Sequence, residues 1–155
     1  MSDRITSHRG VADVLVVANR TAACDELMAA LDARAARGAV RYTLVVPATP
    51  HGLAWATDMS SGIAEAACQM RAAERRLRER GLPVGGVRLG SPDPLAAVLD
   101  AVNFARFDEV IVCTLPRRVS RWLRLCLPYR VARVTGLPVT HIVAHRATAE
   151  LAVAA

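Results

Sequence analysis

The densest chemistry in the sequence lies in one short stretch, P-R-R-V-S-R-W-L-R at 116–124. If this segment is helical, Arg117, Arg121 and Arg124 share one face and Arg118 lies close by. Guanidinium groups bind phosphate and carboxylate bidentately, so such a cluster, with Ser120 beside it, is a candidate anion site. The competing account is a solvated helix face whose arginines pair with acidic residues elsewhere. The other reactive residue types are more scattered. His51 and Trp55 share a loop, where the Trp either stacks on a base or simply covers the loop. His141 and His145 lack the carboxylate or thiolate partners that would make them a metal site. Asp93, between two prolines, reads as a helix cap. Asp13 has no evident partner in the sequence. No G-x-S-x-G elbow occurs, and no cysteine stands beside a histidine in a recognisable motif, so no nucleophile with its base emerges.

Composition narrows the setting. The 155 residues carry a net charge of +6, and all 20 basic residues are Arg. A modest positive charge spread along a chain is poor support for nucleic-acid binding. No apolar run approaches the roughly 20 residues that a membrane helix needs. Residues 1–12 contain charges and no signal-peptide core, so a cytoplasmic protein is expected. Cys24, Cys68, Cys113 and Cys126 fit no zinc spacing and are expected as reduced, buried thiols, the first two within helices.

The elements that would position these residues alternate. Apolar, β-branched runs mark strands at Val14–Ala18, Tyr42–Val46, Val84–Leu89, Glu109–Cys113 and Val139–Ala144. Between them lie helical patterns. Thr21 is the expected N-cap of the first, ahead of Asp25 and Glu26, and Leu27 and Leu31 give it an apolar face. The second, about Ser60–Arg80, repeats Ile63, Ala66, Ala67, Met70, Ala73 and Leu77. The third follows Gly90-Ser91-Pro92-Asp93-Pro94 and turns Leu95, Val98, Leu99, Val102 and Ala105 inward. The last begins near Pro128 and stops at Gly136. This order predicts a single α/β domain over 13–145: three layers, Rossmann-like, a five-stranded parallel sheet with helices on both faces. Residues 1–12 are expected as a flexible start and 146–155 as an Ala-rich tail. In such folds ligands bind beyond the carboxyl ends of the strands, which points to the loops 19–21, 47–58, 90–93 and 114–121.

Together these segments resemble the universal stress protein family. V-L-V-V-A-N at 14–19 is similar to its first strand, and G-S-P-D-P at 90–94 to the turn that opens its third helix. F-D-E-V-I-V-C-T at 107–114 is similar to its fourth strand. R-V-A-R-V-T-G-L-P-V at 130–139 is similar to its last helix and strand. The resemblance implies an adenine-nucleotide-alpha-hydrolase-like fold and a stress or regulatory role by binding. It also implies homodimers paired through the last strand. It places ligand contacts at Asn19, Thr21, Val46, Gly90 and Thr114. The family's strand-ending Asp corresponds to Asn19. Its phosphate-loop glycines, G-x2-G-x9-G-[ST], fall on Val112, Leu115 and Leu125, with Cys126 at the terminal Ser/Thr. Side chains there block the close backbone approach to a triphosphate. The expected ligand is therefore a phosphorylated small molecule or other nucleotide held by the arginines rather than ATP in the usual mode. A protein-interaction dimer with no ligand is one alternative reading, and an enzyme of the wider nucleotide-binding superfamily is another.

Overall fold

A computed structural model describes residues 10–49, 59–116 and 126–145. Five parallel strands form one sheet in the order β3-β2-β1-β4-β5. They are β1 (Ala12–Val17), β2 (Val40–Pro47), β3 (Val84–Gly90), β4 (Glu109–Thr114) and β5 (Val139–Val143). Among the described residues, four helices lie between them: α1 (Asp25–Ala36), α2 (Met59–Glu79), α3 (Pro94–Phe104) and α4 (Leu127–Thr135). The expected architecture is therefore observed, with ends shifted by one to three residues. Among the described residues no helix is long and apolar enough to cross a membrane.

The strand pattern explains the two cores. Successive side chains of a strand point to opposite faces, and a central parallel strand must bury both. In β1, Val14 and Val16 join Leu27, Met28 and Leu31 of α1 and Ala66, Ala73 and Leu77 of α2. The alternate residues Leu15 and Val17 face Leu95, Val98 and Ala101 of α3 and Leu127 and Val131 of α4. Each of these larger apolar side chains contributes on the order of 2 kcal/mol by leaving water. Tyr42 is fully buried, and its hydroxyl donates to the Leu31 carbonyl at 2.7 Å. Burial pushes its phenol up to about 12.

Because the chain runs β1-β2-β3 outward and then returns to β4 and β5, its direction reverses between β1 and β4. A right-handed crossover changes faces at that reversal, so α1 and α2 cover one face and α3 and α4 the other. Gly136, at φ 68, stops α4, its amide returning to the Ala132 carbonyl. A side chain there would be strained in the left-handed region.

Several expectations are corrected. Thr21 does not cap α1; Cys24 does, its sulfur accepting the Leu27 amide at 3.3 Å. The turns Ala22 to Asn19 and Cys24 to Thr21 delay the helix, and the Thr21 hydroxyl is used elsewhere. Cys24 thus precedes the helix rather than lying in it. Cys68 and Cys126 are exposed, not buried, since Cys68 lies off the α2 face that carries Ala66, Ala73 and Leu77. Ile63 is exposed as well, and so is Ala105, which lies just past the end of α3. Asp13 does have a partner, accepting from Arg41 Nε at 2.7 Å. Asp93 caps α3 as expected, accepting from the Leu95 amide.

Candidate functional site

The chain reverses direction between β1 and β4, and doubly wound sheets take ligands beyond the carboxyl ends of the strands at such a reversal. Asn19 and Thr21 follow β1, and Thr114 ends β4; all three are buried. Asn19 Nδ2 donates to the Pro47 carbonyl at 2.7 Å, tying the β1 loop to the end of β2. On the other side, Thr21 Oγ1 donates to the Cys113 carbonyl at 2.9 Å. The loop after β1 is thus pinned to both neighbouring strands by short polar side chains. Thr114 Oγ1 pairs with His141 Nε2 at 2.8 Å, carrying the link to β5. Partial burial holds the His141 imidazole below its usual pKa, favouring the neutral ring.

One atom in this arrangement is left over. Asn19 Oδ1 is buried and has no hydrogen-bond partner among the described residues. A buried amide oxygen without a donor costs about 1–3 kcal/mol. An N–H or O–H donor brought by a ligand would remove that cost.

The remaining proposed contacts divide. The Val46 side chain packs into the core shared with α1 and α2 and does not face a site. Gly90 ends β3, where a Cβ would meet Ala97 Cβ at 2.6 Å and Val45 Cγ1 at 2.9 Å. Close packing of α3 is sufficient reason for glycine there. The Gly90 carbonyl accepts from Ala48, and Thr49 Oγ1 donates to the Pro92 carbonyl, which joins the loops after β2 and β3. Arg117, Arg118, Ser120, Arg121 and Arg124 lie outside the described residues, as do His51, Trp55 and Trp122. Cys126, just beyond the arginines, has left-handed backbone (φ 54), a strained state for a residue with a side chain. Among the described residues no group of three or more metal-ligating side chains forms.

Sequence reasoning missed a contact beside these residues. Cys24 and Cys113 Sγ atoms are 3.8 Å apart, in contact across 89 positions of sequence. The available signal was topological: β1 and β4 are neighbours, and the Val17–Val112 register brings Cys113 to the β1 exit.

No protein-family model matches the chain, and no curated protein matches it in sequence. Solved structures do match in fold. A universal stress protein family member from Burkholderia pseudomallei aligns with a TM-score of 0.56 at 18% identity, covering 84% of this chain and 95% of that one. A universal stress protein from Archaeoglobus fulgidus aligns with a TM-score of 0.58 at 15% identity, covering 84% and 93%. A universal stress protein in complex with cAMP aligns with a TM-score of 0.55 at 18% identity, covering 84% and 95%. The chain therefore has the Rossmann-like α/β fold of the universal stress proteins.

Proposed function

We propose that this protein is a cytoplasmic, universal-stress-protein-like binding module that takes a phosphorylated small molecule of nucleotide type in the β1/β4 crevice. The observation that carries the reading is Asn19, a buried amide whose Oδ1 lacks a donor among the described residues, at the reversal point of the sheet. An amino group on a purine-like ring would supply that donor. Thr21 and Thr114 complete the polar end of the crevice, with Val46 and Gly90 contributing backbone. A structure of the same fold is in complex with cAMP, which supports a ligand smaller than a triphosphate. The arginines at 117, 118, 121 and 124, with Ser120, enter the reading by chain position: they begin three residues after Thr114, within the stretch whose motif glycines correspond to Val112, Leu115 and Leu125. Their bidentate geometry suits a single phosphate.

Thermal shift and calorimetry against cAMP, AMP, ATP and inorganic phosphate test this. A ligand that binds only the folded state adds about 2.7 kcal/mol at a hundred times its Kd. The expected result is stabilisation by AMP or cAMP that exceeds that by ATP. That response is expected to disappear in an Arg117→Ala/Arg121→Ala variant and to weaken in Asn19→Leu. No stabilisation by any of the four, at millimolar concentration, overturns the reading.

A second reading has its own observation. β5 pairs only with β4 among the described strands and leaves a free edge, with Val143 41% exposed. An unpaired edge is a template for another strand, and we propose a homodimer joined there. Light scattering at tens of micromolar tests it; a clean monomer overturns it.

A further inference from the structure

We propose that Cys24 and Cys113 are a redox-modified site, closing reversibly to a disulfide that ties the start of α1 to the end of β4. The two sulfurs are already in contact at 3.8 Å. Both residues are fully buried, and the backbone around them is held from several sides. Thr21 Oγ1 grips the Cys113 carbonyl, and the Leu27 amide points at the Cys24 sulfur. The guanidinium of Arg76 in α2 holds the Ala23 carbonyl and the Asp25 carboxylate. Bond formation requires the sulfurs to close from contact to about 2.05 Å. Filling the core needs only two small apolar groups and does not require that they meet.

The pair is chemically unequal, as disulfide chemistry prefers. Cys24 stands at the N-terminus of α1, where the Leu27 N–H and the helix dipole favour a thiolate. A hydrogen bond from Cys113 is the largest influence lowering the Cys24 thiol, and the same contact, with burial, raises Cys113. Cys24 is therefore the attacking sulfur and Cys113 the resolving one. Glu26, kept ionised by the His145 amide, works against this through its negative charge and the hydrogen bond it accepts from the Cys24 thiol, both smaller influences than the Cys113 contact.

With hydrogen peroxide as oxidant, the Cys24 thiolate attacks one peroxide oxygen and breaks the O–O bond. The other oxygen leaves with a proton as water, giving the sulfenic acid. The Cys113 sulfur then attacks the Cys24 sulfur; the S–OH bond breaks, and the hydroxide takes the Cys113 proton as a second water. Two thiols lose two electrons and peroxide gains them. Because both sulfurs are buried, the first step waits for local opening of the 19–24 turn. The site stands whether or not the crevice binds a nucleotide.

The test uses the full chain carrying Cys68→Ser and Cys126→Ser, which removes the two exposed thiols. The folded protein is incubated with hydrogen peroxide over a series of times and temperatures below unfolding. It is then denatured, alkylated with N-ethylmaleimide and mapped by mass spectrometry. The expected result is one linked pair of peptides containing Cys24 and Cys113, lighter by two hydrogens. Alkylatable thiols fall from two to none and return with dithiothreitol. Circular dichroism is expected to show an unchanged fold. Adding Cys24→Ser is expected to leave Cys113 alkylatable under the same treatment. If both thiols stay alkylatable throughout, or the link forms only under denaturing conditions, the proposal is overturned.

Discussion

The two ends of the sheet are built from different chemistry. At the amino ends of the strands the polar groups are charged, and two ion pairs cross between elements. Arg34 of α1 meets Glu109 of β4 at 2.6 Å, and Arg41 of β2 meets Asp13 of β1 at 2.6 Å. Asp108 accepts the Asp13 amide. At the carboxyl ends the buried polar side chains between β1 and β4 are neutral and short (Asn19, Thr21, Thr114), and one acceptor is left over. A cleft of about 450 Å³ does open at the charged end, lined by Arg34, Arg37, Arg106, Asp13 and Asp108. Of its lining residues, Arg34 pairs with Glu109, Asp13 with Arg41, and Asp108 with the Asp13 amide.

The strongest way to break this contrast is to put a charge at the neutral end. Asn19→Asp replaces the donor to the Pro47 carbonyl with a buried carboxylate facing that carbonyl. We expect a loss of about 3 kcal/mol at pH 8, read as a fall in the urea midpoint against the wild type. Burial and the facing carbonyl raise the new carboxyl above its ordinary value of about 3.9. The protonated form can donate to Pro47 as the amide does. The folded variant then holds its proton more tightly than the unfolded chain. Its deficit is therefore small below about pH 4 and grows as pH rises through the raised pKa. A deficit that does not change with pH would show that the crevice is wetter than its burial implies.

How far this contrast could be read without coordinates depends on the range of the interaction. The sheet was legible because V-L-V-V-A at 14–18 and V-I-V-C at 110–113 must be buried on both faces, a requirement that each strand states locally. The helix periods were legible for the same reason, although they placed Ile63 on a core face that ends short of it. Thr21 shows the limit. Its local alternative, capping α1, competes with a carbonyl 92 residues away, and the carbonyl wins. Asn19 was legible as a position at a strand end. Its orphan oxygen was not, because that depends on what β2 and β4 fail to offer. Cys24 and Cys113 were assigned as inert buried thiols one at a time; only the adjacency of β1 and β4 makes them a pair.

A smaller effect tests the charged end. Arg34 and Glu109 are both largely shielded, with side chains 16% and 18% exposed. Glu109→Gln leaves Arg34 half-satisfied, and we expect a loss of about 1–2 kcal/mol by denaturant titration. The Arg41–Asp13 pair has a 54% exposed guanidinium, so Arg41→Gln is expected to cost about 0.5 kcal/mol or less. Equal losses from the two would mean that the amino end is held by net charge rather than by particular contacts.

The mildest perturbation returns to the carboxyl end and uses pH alone. The neutral His141 ring pairs with Thr114, and partial burial holds its pKa below the free value of about 6.5. The unfolded chain therefore takes up a proton at a higher pH than the folded one does. The stability linked to the neutral ring is fully present above about pH 6.5. It is lost as pH falls through the lower folded value. Between pH 7 and pH 5 we expect the wild-type Tm to fall further than that of His141→Gln, which keeps a polar partner for Thr114 but does not titrate. Solvent reaches much of the ring, so the gap is expected to be the smallest of the effects above. A gap of opposite sign, with the wild type gaining on acidification, would mean that a carboxylate faces His141.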